Sequence, residues 1–385
     1  MANRTASSLF IGLMSGTSMD AIDSLLVELA DNKTATVLGC HSHDIPDQLR
    51  QDLATLSITG GDAIDLLGEA DQQLGELFAD AVLALLATCA ISPTQITAIG
   101  SHGQTVRHRP PGKQHPHPFT LQIGDPNIIA SRTGITTVAD FRRADIAVGG
   151  QGAPLAPAFH KHVFSDPELN RVIVNIGGMA NITWLPLSGE TIGFDTGPGN
   201  RLLDYWTQTH LHVPFDDKGR WASQYASDET LLGALKSHPF FTEQPPKSTG
   251  REEFNEQWLS SQLAQYGSSL TPGKVQSTLL DLTVETIAEA IVSQCSRVDE
   301  VYICGGGTYN DELMDRLNKA LGSVPVASTA GLGIDPKQVE ALAFAWLAQQ
   351  TLLGRPGNLP AVTGAQQEVV LGGIYPGLHS ASLTL

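Results

Sequence analysis

Apolar and polar positions in the first 140 residues form two patterns. Short, mostly apolar runs bounded by turn residues predict strands, whereas apolar residues that recur every three or four positions predict helices. The first pattern occurs at residues 9–14, 22–29, 34–43, 96–99 and 136–139. The second occurs at residues 47–56 and 62–90, and Asp125 followed by Pro126 favours a third helix that ends at Arg132. Residues 107–118, rich in Pro and His, are expected to form a loop.

The same order of patterns returns in the second half of the chain. Strands are predicted at residues 171–176, 182–185, 191–194, 300–303 and 325–327, and helices at 201–208, 253–263, 275–295, 308–321 and 336–350. Each half therefore starts with three strands and continues with alternating helices and strands, and each first hairpin turns through Gly and small residues. This repetition predicts a duplicated α/β unit.

The length of the chain agrees with a duplicated unit. Its 385 residues exceed what one typical core needs, so two or three domains are expected. The Gly-rich stretch at residues 149–152 is the predicted boundary region. We predict domain I at residues 1–145 together with the C-terminal tail at 372–385, and domain II at residues 146–371. Two facing domains would leave a cleft in which ligands bind.

Composition narrows the class of function. With 23 Lys and Arg against 40 Asp and Glu, the formal net charge is -17, which argues against a nucleic-acid or anionic-membrane partner. No apolar run approaches the length of about 20 residues that a membrane span needs. The four scattered cysteines, without a C-x-x-C pair, are typical of reduced thiols. We therefore expect a cytoplasmic globular protein.

Three glycine-rich turns follow predicted strands, at residues 16–18, 197–199 and 305–307. No Walker A signature occurs, and no G-x-G-x-x-G sequence begins a helix after a strand. Successive N–H groups in such turns form anion-binding nests, and Asp20 and Asp23 follow the first turn, where a carboxylate would hold Mg²⁺. Three such turns in a duplicated α/β chain favour a polyphosphate nucleotide. The alternative is ordinary turns, where many of the 38 glycines would collect.

Eight motifs of this chain resemble those of the anhydro-N-acetylmuramic acid kinase family. The match runs in the family's order from residue 10 to about 375, without a large gap. The motifs are S-G-T-S-M-D (15–20), G-S-H-G-Q-T (100–105), V-A-D-F-R-R-A-D (138–145), G-G-Q-G-A-P-L-A-P-A-F-H (149–160), N-I-G-G-M-A-N (175–181), G-F-D-T-G-P-G-N (193–200), K-S-T-G-R-E (247–252) and C-G-G-G (304–307). The chain departs from the family pattern at Ala21, where the family carries Gly, and this would matter if the position needed a positive φ.

The resemblance implies a two-domain actin/hexokinase-like ATPase fold, which is a duplicated RNase H-like α/β architecture, with ATP and Mg²⁺ as cofactors and a homodimeric state. The implied reaction converts ATP, water and 1,6-anhydro-N-acetylmuramic acid into N-acetylmuramic acid 6-phosphate and ADP, in peptidoglycan recycling. Two alternatives remain. One is a conventional sugar kinase of the same fold that phosphorylates a free hydroxyl, and the other is an actin- or chaperone-like ATP switch.

The resemblance also implies which residues form the catalytic and nucleotide sites. Asp195 matches the family's catalytic Asp and would activate water, although an acid before a glycine turn could instead cap the helix after Gly199. The basic segment at residues 247–251 would either meet phosphate or order a loop. Asp20 would hold Mg²⁺. The implied nucleotide-binding residues are Gly16, Thr17, Ser18, Met19, Asp20, Ala21, Ile22, Asp23, Gly197, Gly199, Asn200, Gly305, Gly306 and Gly307.

Four residues are candidates for binding the sugar. Arg143 is expected to pair with the lactyl carboxylate because guanidinium favours bidentate contact with carboxylates, and Arg142 is the alternative. Glu340 resembles a family carboxylate near the anhydro sugar, although it could instead lie on a helix surface. Asp140 and His102 are the remaining candidates, and a histidine at the end of a strand could equally have a structural role.

Overall fold

A computed structural model describes residues 7–16, 19–30, 35–57, 63–111, 117–251, 253–266 and 270–378. The strands are β1 (Ser7–Ser15), β2 (Ala21–Ala30), β3 (Ala35–Asp44), β4 (Ile96–Ser101), β5 (Gln104–Arg109), β6 (Phe119–Ile123), β7 (Thr137–Ala139), β8 (Arg171–Ile176), β9 (Met179–Leu185), β10 (Ile192–Pro198), β11 (Glu300–Cys304), β12 (Val326–Ser328) and β13 (Gly373–Tyr375). The helices are α1 (Asp47–Ser57), α2 (Ile64–Cys89), α3 (Pro126–Thr133), α4 (Phe141–Ala147), α5 (Ala156–Phe164), α6 (Arg201–Leu211), α7 (Glu229–Lys236), α8 (Glu256–Leu263), α9 (Pro272–Gln294), α10 (Asp311–Leu321), α11 (Val339–Leu352) and α12 (Pro360–Thr363).

The first sheet has the strand order β13-β7-β4-β1-β2-β3. Strands β1, β2 and β3 form an antiparallel meander, whereas β4 and β7 continue the sheet parallel to β1. Helices α2 and α3 pack against this sheet, whereas α1 packs against α2 and β5, and the apolar residues of all three helices form one core with β1, β2 and β4. Asp125 caps α3 because its carboxylate accepts the N–H of Asn127 at 2.8 Å.

The second sheet has the order β10-β9-β8-β11-β12. Strands β8, β9 and β10 are antiparallel, and β11 and β12 run parallel to β8. The two sheets have the same arrangement. Strands β1–β3 and β8–β10 each form a meander, and two further strands, β4 and β7 in the first sheet and β11 and β12 in the second, extend the sheet beyond β1 and β8, respectively. The predicted duplication is therefore confirmed, and the chain has a duplicated α/β architecture.

The chain divides into two compact units. The first contains the described residues up to Val163 and from Glu340 onward, and the second is Phe164–Val339. This division differs from the predicted domain bounds at residues 146–163 and 340–371. The buried carboxylate of Asp145 gives a physical reason, because it accepts hydrogen bonds from the Gly152 N–H, from Asn358 Nδ2 and from Thr363 Oγ1, each at 2.7 Å.

Two sequence predictions of local structure need correction. Residues 107–109 are not loop, because they end β5, which pairs with β6 as a separate hairpin. Strand β10 does not end at Asp195 but continues to Pro198. Among the described residues, no helix is both long and apolar enough to cross a membrane.

Candidate functional site

Asp195 lies inside β10 and is 8% exposed. It is opposite Asn181 of β9, and the register shifts between Asp195 and Gly197, which is a β-bulge. Bulges re-aim the side chains beside them and are frequent next to active sites. Asn200, not Asp195, occupies the N-cap position of helix α6, without a capping hydrogen bond from its side chain, so the alternative in which Asp195 caps this helix is wrong.

The segment 247–249 holds Asp195 in place. The backbone N–H of Asp195 donates to the Lys247 carbonyl at 3.2 Å, and the Thr249 N–H donates to Asp195 Oδ2 at 2.9 Å. A hydrogen bond to the ionised form of a carboxylate stabilises that form. The segment therefore orders the surroundings of Asp195.

The glycine turns of the second unit meet at the ends of β8, β10 and β11. The N–H groups of Gly199 and Asn200 donate to the carbonyls of Gly178 and Gly177 at 2.9 and 2.8 Å. Gly305 has a φ of 80°, and a Cβ there would overlap the Ile176 carbonyl that Asn200 Nδ2 also contacts.

Two glycines of this group are more open. A Cβ on Gly177 or Gly306 would meet nothing closer than 3.6 and 3.5 Å, respectively. Gly197, with a φ of 142°, lies instead against the ring of Phe241, and Gly307 packs on Ile176. The turns at residues 177–178, 197–200 and 305–307 thus form one glycine-rich surface, in which Gly306 is exposed, Gly177, Gly178 and Gly305 are half-buried, and Gly197, Gly199 and Gly307 are buried. The backbone at Gly306 is therefore the part that a ligand can approach most closely.

The first glycine turn, at the end of β1, is described only in part. Thr17 and Ser18 lie outside the described residues. Met19 is buried with a φ of 61°, and its N–H donates to the Gly16 carbonyl at 3.2 Å. Ala21 begins β2 in extended conformation and is not among the positive-φ residues, so the methyl group is compatible with the backbone that this position adopts. The buried Ile22 continues β2.

The acids of the first turn differ in their surroundings. The Asp20 side chain is 66% exposed and lies 3.4 Å from Arg50 Nη1, and Asp23 is exposed on β2 opposite Met14. No group of three or more potential ligands occurs among the described His, Cys, Asp and Glu side chains. One exposed carboxylate fits Mg²⁺ bound to a nucleotide, because Mg²⁺ there takes one or two carboxylates and fills its other positions with water and phosphate oxygens.

A cavity of about 130 Å³ lies in the first unit, at the ends of β4, β6 and β7. Three of the four predicted sugar-binding residues, His102, Asp140 and Arg143, line it together. Its other lining residues are Asp71, Ser101, Gly103, Thr120, Leu121, Gln122, Ile123, Gly124, Pro126, Ala139 and Tyr375. Glu340 is half-buried in the first turn of α11 and is not part of this lining.

The two consecutive arginines of α4 face different partners. Arg143 Nε donates to both carboxylate oxygens of Asp140 at 2.7 Å, and this pairing raises the pKa of Arg143. Arg143 Nη2 also lies 2.5 Å from Asp140 Oδ2, and the Arg143 side chain is 63% exposed, so a ligand would meet the part of the guanidinium that Asp140 does not cover. Arg142 instead donates to the Gly152 carbonyl at 2.7 Å and to His102. The geometry therefore favours Arg143 over Arg142 as the carboxylate-binding residue.

His102 is buried in the cavity wall, and its Nε2 accepts from Arg142 Nε at 3.1 Å. Burial and the charge of Arg142 lower the pKa of His102 well below 6.5, against the opposing effect of backbone contacts with Gly103 and Ser15. Because Nε2 accepts a hydrogen bond, the proton of the neutral ring is on Nδ1.

We expect His102 to remain the neutral Nδ1–H tautomer from pH 6 to pH 9. Nitrogen-15 NMR of the imidazole groups measures the tautomer directly. In Arg142→Met the loss of the neighbouring charge should raise the pKa of His102 toward its ordinary value. A wild-type His102 that titrates near pH 6.5 would contradict this assignment.

Sequence reasoning missed several residues of these sites. Asp71, whose Oδ1 accepts the Gly124 N–H at 2.6 Å, comes from α2, and Tyr375 comes from β13. Neither carries a local signal of a site. Ser101 and Gln122 are also unpredicted, although Ser101 lies within the G-S-H-G-Q-T motif.

Comparisons with known proteins agree with the motifs. The family model described as anhydro-N-acetylmuramic acid kinase matches residues 8–377. The anhydro-N-acetylmuramic acid kinase of Shewanella pealeana is 52% identical over 368 residues, covering 95% of this chain and 98% of that protein. The protein of the same name from Coxiella burnetii is 50% identical, covering 96% of this chain and 97% of that protein.

Solved structures are similar at lower identity. Component A of (R)-2-hydroxyglutaryl-CoA dehydratase from Acidaminococcus fermentans has a TM-score of 0.46 at 12% identity, covering 88% of this chain and 96% of that one. A ROK family glucokinase from Streptomyces griseus has a TM-score of 0.39 at 12% identity, covering 89% and 100%. With the family model matching 370 positions from residue 8 to residue 377 and relatives at about half identity, this chain belongs to the anhydro-N-acetylmuramic acid kinase family.

Proposed function

We propose that this chain opens the 1,6-anhydro ring of 1,6-anhydro-N-acetylmuramic acid with water and transfers the γ-phosphoryl group of ATP to O6. The products are N-acetylmuramic acid 6-phosphate and ADP, and the reaction serves peptidoglycan recycling. The observation that carries the proposal is family membership over nearly the whole chain. The buried, hydrogen-bonded Asp195 supports it, since the reaction needs a base.

In this proposal Asp195 is the general base. It accepts a proton from the water that attacks C1, where the transition state is oxocarbenium-like. As C1 gains the water oxygen, the bond from C1 to the bridging oxygen breaks, and that oxygen, now O6, takes the γ-phosphoryl group. The Thr249 N–H on Oδ2 supports this role by favouring the ionised carboxylate.

Each unit has a backbone feature to which the family resemblance assigns nucleotide binding. The turn at Gly16 would bind the β- and γ-phosphates, with Thr17 and Ser18 as predicted hydroxyl donors. The glycine-rich surface of the second unit, including Gly306, would bind adenosine and the α-phosphate. Asp20 would hold Mg²⁺, which neutralises charge on the phosphates when bound. Gly199 and Asn200 hold this turn on the Gly178 and Gly177 carbonyls, Gly197 lies against Phe241, and contact of these three residues with the nucleotide remains a prediction.

The polar cavity of the first unit is the proposed sugar site. Arg143 would contact the lactyl carboxylate and Asp140 would orient Arg143, since their side chains are already paired. His102, held neutral by burial and by the charge of Arg142, would offer a fixed surface rather than a proton. A contact between Glu340 and the sugar, near its 1,6-anhydro bridge, remains a prediction.

Replacing Arg143 by Met should raise KM for the anhydro sugar by roughly 10- to 100-fold, the value of one lost charge-assisted hydrogen bond. Activity on 1,6-anhydro-N-acetylglucosamine, which lacks the lactyl carboxylate, should change little. Arg132→Met is the matched control because Arg132 pairs with Glu76 and Asp80 away from the cavity. An equal loss on both sugars would contradict the assignment of Arg143.

The direct test of the proposed function is ADP release from Mg²⁺-ATP with three sugars. We expect turnover with 1,6-anhydro-N-acetylmuramic acid and none with N-acetylmuramic acid or N-acetylglucosamine. Turnover on the free sugars would favour a conventional sugar kinase. ADP release that no sugar stimulates would favour an ATP switch.

We also propose a cytoplasmic location and a homodimer. The location is supported by the four cysteines, which form no disulfide among the described residues. The homodimer rests on the family resemblance alone. Light scattering after size-exclusion chromatography measures the mass, and a value equal to one chain would overturn the dimer.

A further inference from the structure

Lys247 is a buried lysine beside Asp195. Its side chain is within an aromatic cluster, where Nζ donates to the Phe240 carbonyl at 2.9 Å and lies 4.4 Å from the centre of the Phe240 ring. Nζ is also 5.9 Å from the ring of Phe194, the residue that precedes Asp195. Only 8% of Lys247 is exposed, and lysines are almost never buried without compensating contacts. This burial argues against contact of Lys247 itself with a phosphate.

The backbone around Lys247 fixes Asp195 from two sides. The Lys247 carbonyl accepts the N–H of Asp195, and the N–H of Thr249 donates to the Asp195 carboxylate. Thr249 is itself anchored, because its Oγ1 donates to Glu253 Oε2 at 2.6 Å. The position of the carboxylate therefore depends on the position of residues 247–249.

The charges around Lys247 are mostly negative. The carboxylates of Asp195, Glu243 and Glu253 all interact with its ammonium group, and His238 Nδ1 is 3.8 Å from Glu253 Oε1. Burial lowers the pKa of Lys247, while the three carboxylates act in the opposite direction. The carbonyl and the ring faces around Nζ stabilise the cationic form. A buried cation near a carboxylate favours ionisation of that carboxylate.

We propose that Lys247 is a positioning residue for the proposed reaction, holding the Asp195 carboxylate through the adjacent backbone and keeping it ionised through a buried positive charge. This inference rests on the proposed function, in which Asp195 must be ionised to accept a proton. It adds a role for a residue that makes no contact with the reacting atoms.

The first test is the pH dependence of kcat/KM in Lys247→Met, Lys247→Gln and Lys247→Arg. Met keeps the apolar packing, Gln keeps a donor for the Phe240 carbonyl, and Arg keeps the charge. At low pH, kcat/KM falls as the catalytic carboxylate becomes protonated, and this part of the profile is its acid limb. In the Met and Gln variants the acid limb should move to higher pH by roughly one unit, because removing a nearby cation raises the pKa of a carboxylate. The Arg variant should keep the wild-type limb. The inference would be overturned if kcat/KM fell by the same factor at every pH, or if the acid limb stayed in place in both the Met and the Gln variant.

A matched control is Lys236→Met. Lys236 pairs with Glu285 and Glu289 in the same unit and is not among the charges that face Lys247. The acid limb should stay in place in this variant. Thermal unfolding of each variant shows whether it is folded under the assay conditions, so that a shift of the acid limb is not confused with a loss of folded protein.

A second test needs no turnover. Carboxyl carbon-13 NMR, with the Asp195 resonance assigned by its loss in Asp195→Asn, should give a higher pKa for Asp195 in Lys247→Gln than in the wild type. An equal pKa would overturn the inference. If the wild type shows no activity with the anhydro sugar, the proposed function fails, yet this titration still decides the effect of Lys247 on Asp195.

Discussion

Asp195→Asn should lower sugar-dependent ADP release by about 10³-fold, the usual contribution of a general base. Asn is nearly isosteric and can still accept the Thr249 N–H, so β10 and the glycine-rich surface should persist. What it loses is the ability to accept a proton from water. The measurement is kcat with saturating ATP and anhydro sugar, together with nucleotide affinity by calorimetry.

The control for this variant is Thr207→Val. Thr207 is buried in α6 of the same unit, and its hydroxyl donates only locally, to the Leu203 carbonyl. This variant should keep kcat within a few fold of the wild type. A fall of less than tenfold in Asp195→Asn, with nucleotide affinity unchanged, would mean that another group activates the water.

The second large effect concerns stability. Gly12→Ala should reduce the free energy of unfolding by about 3 kcal/mol or more, since overpacking a filled core forces the backbone to shift. Gly12 lies in β1, directly under α11, and a Cβ there would overlap the carbonyl of Ala341. Gly100 in β4 approaches the Phe344 carbonyl in the same way. Urea unfolding measures the change.

Gly68→Ala is the matched control. Gly68 is exposed on α2, and a Cβ there would meet nothing within 4 Å. Replacing an exposed helical glycine by alanine should stabilise the chain by up to about 1 kcal/mol. If Gly12→Ala and Gly68→Ala destabilised the chain by similar amounts, the close packing of α11 on β1 would not be the reason for glycine at position 12.

Much of the fold follows from local patterns. The strand and helix predictions for β1–β4, α1–α3 and β8–β11 are confirmed because strong periodicity and clear caps such as Asp125 agree with the tertiary packing. The hairpin of β5 and β6 was missed because its residues alternate weakly and include Pro and His nearby. Its pairing depends on contacts that a local window does not contain.

Residues of the candidate site could be predicted from the sequence only where they lie within a motif. His102, Asp140 and Arg143 lie in family-like motifs and do line one cavity. Asp71 and Tyr375 complete that cavity from distant parts of the chain, where only the folded topology brings them together. The burial of Lys247 likewise depends on aromatic side chains such as Phe240, so its motif could not decide between binding phosphate and ordering a loop.

The most direct measurement for the central claim is the fate of oxygen in ¹⁸O-water. The purified enzyme would be given ATP, Mg²⁺ and 1,6-anhydro-N-acetylmuramic acid, and the products analysed at once by mass spectrometry and fragmentation. We predict one ¹⁸O atom at C1 of N-acetylmuramic acid 6-phosphate, with none in its phosphate group. A phosphorylated sugar without ¹⁸O, or ¹⁸O found only in inorganic phosphate, would contradict the account that ring opening by water and phosphoryl transfer to O6 are one reaction of this chain.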